Sequence, residues 1–127
     1  MDIKILVVDD EPMIVETLEM KFKEKGYTVY TATDGKAAIK EAKDKLPDLI
    51  LLDVMMPKMN GFEVLKKLKA DRKTVNIPIV MLTGEKEQKD IAEGIRNQAE
   101  KYLVKPLDSD QVLIEIEKTL SLRMRRI

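Results

Sequence analysis

The chain has no cysteine, no histidine and no tryptophan, and aromatic residues make up only 4% of it. Without cysteine there is no disulfide framework, no thiol nucleophile and no sulfur-ligated metal site. Without histidine the Ser-His-Asp and Cys-His systems are excluded, as is any zinc site built on imidazole. Chemistry is left to carboxylates, lysines, hydroxyls and any hard cation that oxygen ligands can hold. Neither charge is in excess: 23 Lys and Arg oppose 23 Asp and Glu, so no overall basic field draws nucleic acid. No apolar run approaches the roughly 18 residues of a membrane span, and the opening Met-Asp-Ile-Lys-Ile lacks the build of a signal peptide. A cytoplasmic protein without membrane contact is expected.

The 127 residues suit one domain, expected to span 1–127. Five short apolar runs, Ile3–Val8, Thr28–Thr31, Leu49–Leu52, Ile77–Leu82 and Tyr102–Val104, read as strands. The first, third and fourth are almost continuously apolar, the pattern of parallel strands covered on both faces. Five segments of helical period separate and follow them, marked by Ile14, Val15, Leu18 and Phe22; Ala38, Ile39, Ala42 and Leu46; Val64, Leu65 and Leu68; Ile91, Ala92, Ile95 and Ala99; and Val112, Leu113, Ile116 and Leu120. Pro12 suits a first helical turn, Gly26 a helix end and Asp34-Gly35 a turn before the second helix. Strand and helix alternating five times predict a doubly wound parallel α/β sheet with helices on both faces.

In such a sheet the ligand site lies beyond the carboxyl ends of the strands. Those ends carry Asp9-Asp10-Glu11 after the first strand, Asp53 after the third, Thr83-Gly84 after the fourth and Lys105-Pro106 after the fifth. If these strands are neighbours, three aspartates, a hydroxyl and an ammonium converge. Three close carboxylates repel and take up protons unless a cation neutralises them. Mg²⁺ is the natural partner, with Mn²⁺ as the alternative, because it binds through one or two carboxylates and retains sites for phosphate. Asp53 is the candidate acceptor for a phosphoryl group: a carboxylate is ionised at pH 7 and needs no histidine base to attack phosphorus. Each feature alone has a plainer reading. Acids after a strand cap helices, Lys-Pro and Thr-Gly form turns, and Met55, Met56 and Met59 are apolar filler. Matching chemistry at every strand end weighs against coincidence.

Asp9-Asp10, then Asp53-Val-Met-Met-Pro57 with Gly61, then Thr83, then Lys105-Pro106, resembles in order and over nearly the whole chain the receiver domain of two-component response regulators. The resemblance implies a flavodoxin-like fold of strand order 2-1-3-4-5, the order for which chemotaxis receivers are a standard example. It implies that Asp53 is the phospho-acceptor and that Asp10 and Asp53 ligate Mg²⁺ directly, with Asp9 acting through water and the Met55 backbone carbonyl completing the set. Thr83 corresponds to the switch hydroxyl, Tyr102 to the aromatic that moves with it, and Lys105 to the phosphate-pairing lysine, with a cis bond to Pro106. Met55 and Glu85 fall at the positions that tune loss of phosphate. A thioether at 55 cannot orient an attacking water, so a long-lived phosphoryl group is expected, lost faster in Met55→Asn. The donor would be a phosphohistidine of a sensor histidine kinase or histidine phosphotransfer protein, since this chain has none. Phosphorylation would reshape the surface of the fourth helix, fifth strand and fifth helix for a downstream protein, a linked effector domain or a dimer partner.

Two alternatives remain at the level of sequence. Haloacid-dehalogenase-like phosphohydrolases also form an aspartyl phosphate, but they place a second Asp two residues after the nucleophile, where this chain has Met55. A receiver-like interaction domain that no longer accepts phosphate is opposed by the intact acids, Thr83 and Lys105. Direct nucleic-acid binding is not expected, because no helix-turn-helix segment follows the fifth helix and the net charge is zero.

Overall fold

The computed structural model describes residues 2–84, 99–106 and 108–125. In chain order they form β1 (Lys4–Val8), α1 (Pro12–Glu24), β2 (Thr28–Ala32), α2 (Gly35–Lys45), β3 (Leu49–Asp53), α3 (Gly61–Lys69), β4 (Ile79–Thr83), β5 (Lys101–Val104) and α4 (Ser109–Arg125). All strand pairs are parallel and their order is β2-β1-β3-β4-β5, as the resemblance implies. The helix expected around Ile91, Ala92 and Ile95 lies outside the described residues, so α4 is the last of the five helices expected from sequence.

Alternation along the strands builds two cores. Leu6, Val8, Ile50, Leu52, Ile79 and Met81 face α2 and α3 through Ala38, Ala42, Val64, Leu65 and Leu68. The intervening Ile5, Val7, Leu49, Leu51, Val80 and Leu82 face α1 and α4 through Leu18, Phe22, Val112, Leu113, Ile116 and Leu120. Every residue of β3 and β4 is buried, which is why their sequences read as unbroken apolar runs. β4 begins two residues later than Ile77 because Pro78 has no N–H for the ladder; its carbonyl accepts from Ile50 N–H instead.

Local chemistry sets the helix ends. Pro12 opens α1, Asn60 accepts from Glu63 N–H at 3.0 Å, and Asp34 accepts from Ala37 N–H at 2.8 Å, so Asp34 caps α2 rather than forming a separate turn. Gly26, at φ +92°, follows α1 in a conformation that side chains resist. Leu46 departs from expectation: helical spacing puts it on the inner face of α2, but it ends the helix in the left-handed region at φ +47° and stays half exposed. A leucine there is strained. Leu46→Gly is expected to raise stability by about 0.5–1 kcal/mol. Urea unfolding checks this, and an unchanged or lower midpoint would contradict it.

Candidate functional site at the strand ends

The strand order reverses between β1 and β3, opening a crevice beyond their carboxyl ends. Asp9 follows β1, Asp53 is the last residue of β3, Thr83 is the last of β4, and Lys105 directly follows β5. Asp9, Asp53 and Thr83 are buried, and Asp10 is partly so. One carboxylate oxygen from each of Asp9, Asp10 and Asp53 lies within 4.8 Å of the other two. Lys105 Nζ sits 3.0 Å from Asp53 Oδ1 and 3.8 Å from Asp9 Oδ2. The structure thus brings together the three aspartates and the lysine, and the Lys105–Pro106 bond is cis.

Capping does not explain the acids. The N-cap of α1 is Glu11, whose own side chain makes no capping hydrogen bond. Asp9 Oδ1 accepts from Glu11 N–H at 3.0 Å, a tight turn, while its other oxygen is buried without a hydrogen-bond partner. A buried carboxylate oxygen without a donor is costly in a folded chain, and with two further carboxylates beside it the donor set fits a hard cation.

Electrostatics follow from this crowding. Burial, opposed by the Glu11 N–H and reinforced by the Asp53 charge, lifts the Asp9 carboxyl from its ordinary 3.8 to about 6. Burial also raises Asp53, against the pull of Lys105 and, more weakly, of the nearby Met55 backbone N–H. Burial pulls the Lys105 ammonium down, but its hydrogen bond to Asp53 and the surrounding acids outweigh that and hold it above 10.5. The paired groups shift the same way because desolvation dominates at the inaccessible carboxylate, whereas the ion pair dominates at an ammonium that is 31% exposed.

Other expected residues are placed less centrally. Thr83 donates its hydroxyl to the Leu103 carbonyl at a long 3.5 Å. Tyr102 packs against the α2–α3 core, with burial raising its phenol. Met56 is buried and Met59 packs against the same core, but Met55 is 62% exposed and is not filler. Glu85 lies outside the described residues.

The sequence also gave no role to the close approach at Gly61. A Cβ there would meet the Asp53 carbonyl oxygen at 2.3 Å and Val54 Cα at 2.8 Å, while Gly61 N–H donates to Val54 O at 2.8 Å. Only glycine lets α3 start against the residue that carries the site's central carboxylate. Gly61→Ala is expected to cost about 1–3 kcal/mol through overpacking against backbone, and unfolding curves matching wild type would contradict this contact.

The sequence matches the response regulator receiver domain over residues 5–117. The alkaline phosphatase synthesis transcriptional regulatory protein PhoP of Bacillus subtilis is 42% identical over 120 residues, covering 94% of this chain and 49% of that protein. The response regulator PleD of Caulobacter vibrioides is 46% identical over 108 residues, covering 85% of this chain and 24% of its own. The chain therefore spans half or less of these relatives. Among solved structures, the chemotaxis protein CheY4 of Vibrio cholerae shares 34% identity at a TM-score of 0.85, covering 94% of this chain and 99% of that one. A CheY-like receiver domain protein of Methanospirillum hungatei JF-1 reaches 0.90 at 24% identity over 100% of both chains, a likeness of fold. With nearly all of its sheet and helices inside the matched region, the chain belongs to the response regulator receiver domain family of two-component signalling.

Proposed function

We propose that Asp53 accepts a phosphoryl group from a phosphohistidine of a partner protein, a sensor histidine kinase or histidine phosphotransfer protein, and that phosphorylation alters the surface offered to a downstream protein or linked effector domain. The observation that carries this reading is the buried Asp53 carboxylate, 3.0 Å from Lys105 Nζ, within a three-carboxylate cluster in which one Asp9 oxygen has no hydrogen-bond partner. Asp10, Asp53 and the Met55 carbonyl would hold Mg²⁺, or Mn²⁺ in its place, with Asp9 acting through water, and the ion would supply positive charge against the phosphoryl oxygens. The chain's own groups do the rest. Asp53 offers an oxygen nucleophile whose attack needs no base, and the Lys105 ammonium moves from the carboxylate to a transferring oxygen. Thr83 is held by so long a bond to Leu103 O that its hydroxyl is readily exchanged toward a phosphoryl oxygen. Tyr102, two residues before Val104, the β5 partner of Thr83, moves with it.

Met55 stands exposed where a haloacid-dehalogenase-like enzyme would carry its second aspartate. Its thioether accepts hydrogen bonds weakly and holds no water for attack on phosphorus. Met55→Asn is therefore expected to shorten the phosphoryl half-life several-fold, by roughly the worth of one hydrogen bond, and an equal or longer half-life would count against this role.

Incubation with acetyl phosphate and Mg²⁺, followed by intact-mass measurement, tests the proposal. One added phosphoryl group, absent when EDTA replaces Mg²⁺, is expected. No addition would remove the reading, and sustained turnover of an unrelated phosphoester would favour a hydrolase.

A further inference from the structure

With no cysteine in the chain, thioethers are the side chains left to react with two-electron oxidants. Among the described residues, Met13, Met20 and Met55 are more than half exposed, at 80%, 64% and 62%, while Met56 and Met81 are buried. Of the exposed three, only Met55 adjoins the site: it lies two residues after Asp53, whose carboxylate its backbone N–H helps to keep ionised. Asp53 itself is 2% exposed and ends β3, and Met55 is the first exposed residue beyond it, in the loop that follows.

From this placement we propose that Met55 is an oxidation site that sets phosphoryl lifetime: its conversion to the sulfoxide speeds loss of the group from Asp53. The oxidant is a peroxide. The sulfur gives up two electrons and takes one peroxide oxygen, and the other oxygen leaves as water. Loss of the phosphoryl group is hydrolysis, in which a water oxygen bonds phosphorus, the bond from phosphorus to Asp53 breaks, and the carboxylate regains its charge. The water's hydrogens leave with inorganic phosphate and solvent. A thioether is a weak acceptor, so the native side chain gives that water no partner; the sulfoxide oxygen is a strong acceptor at the same exposed position. One new hydrogen bond to the attacking water corresponds to roughly a three- to tenfold faster loss.

The inference rests on Asp53 being the phospho-acceptor, and the experiment separates the two. Wild type is treated with hydrogen peroxide, oxidation at Met55 is verified by peptide mass, and the protein is labelled with acetyl phosphate and Mg²⁺. After donor removal, decay is followed by intact mass. Oxidised wild type is expected to lose the label about three- to tenfold faster than untreated protein, and methionine sulfoxide reductase to restore the slow rate. Met55→Leu, treated identically so that Met13 and Met20 are oxidised, keeps its untreated rate, and unoxidised Met55→Gln decays as fast as oxidised wild type. Unchanged decay in oxidised wild type overturns the inference, as does equal acceleration in Met55→Leu or no oxidation at Met55 while Met13 reacts. If untreated wild type never takes up the label, the acceptor reading fails first and this one with it.

Discussion

Replacing Lys105 with methionine is expected to slow phosphoryl uptake at Asp53 by about 10²–10³-fold, the usual cost of deleting a preorganised charge stabiliser from an active site. The ammonium is the one cation that touches the acidic cluster among the described residues, at 3.0 Å from Asp53 and 3.8 Å from Asp9. Methionine keeps the apolar stem and removes the charge. The same variant carries a prediction of opposite sign. Without the ammonium, the three carboxylates face a divalent ion unopposed, so at pH 8 calorimetric titration with Mg²⁺ is expected to show tighter binding than in wild type. Slower labelling with tighter Mg²⁺ binding identifies Lys105 as a charge partner of the phosphoryl group. Loss of both would mean that the lysine only holds the site together.

Asp9 carries the second large effect. Its carboxyl titrates near 6 in the folded, metal-free protein against an ordinary 3.8. The folded state therefore binds the proton more tightly than the unfolded chain, and stability contributed by that proton is present below pH 4 and lost as pH rises through about 6. A shift of this size corresponds to about 3 kcal/mol of order-of-magnitude destabilisation on the alkaline side of the window. Asp9→Asn removes the buried charge. In EDTA it is expected to stabilise the protein by about 1–3 kcal/mol at pH 8, with little gain at pH 4. Magnesium should narrow the difference, stabilising wild type more than the variant, which keeps Asp10 and Asp53 but loses the Asp9 charge. Denaturant unfolding at both pH values, with and without Mg²⁺, reads all of this; equal pH slopes for the two proteins in EDTA would refute the account of Asp9.

Much of this was legible in the sequence because two physical signals are strong there. Fully buried parallel strands must be apolar throughout, so Leu49–Leu52 and the run ending at Leu82 stand out, and Val64, Leu65 and Leu68 mark the buried face of α3. Strand ends are fixed by where those runs stop, so Asp9, Asp53, Thr83 and Lys105 fall into place once the strand order is known. Features that depend on atoms meeting across the fold were not legible. Nothing in the local sequence says that Leu46 leaves its helical face for the left-handed region, or that Met55 turns outward while Met56 turns inward. The Gly61 contact with the Asp53 carbonyl and the unpartnered Asp9 oxygen are likewise tertiary facts. Zero net charge also conceals a local imbalance, because Asp9, Asp10 and Asp53 crowd at one end of the sheet beside Lys105.

Asp53 is the residue expected to become phosphorylated. Borohydride reduces an acyl phosphate to the alcohol, which turns a labelled aspartate into homoserine. Wild type labelled with acetyl phosphate and Mg²⁺, reduced and sequenced by tandem mass spectrometry, is expected to carry homoserine at position 53 alone, and Asp53→Asn is expected to carry none. Homoserine at Asp9 or Asp10 instead, or undiminished labelling in Asp53→Asn, would contradict the account.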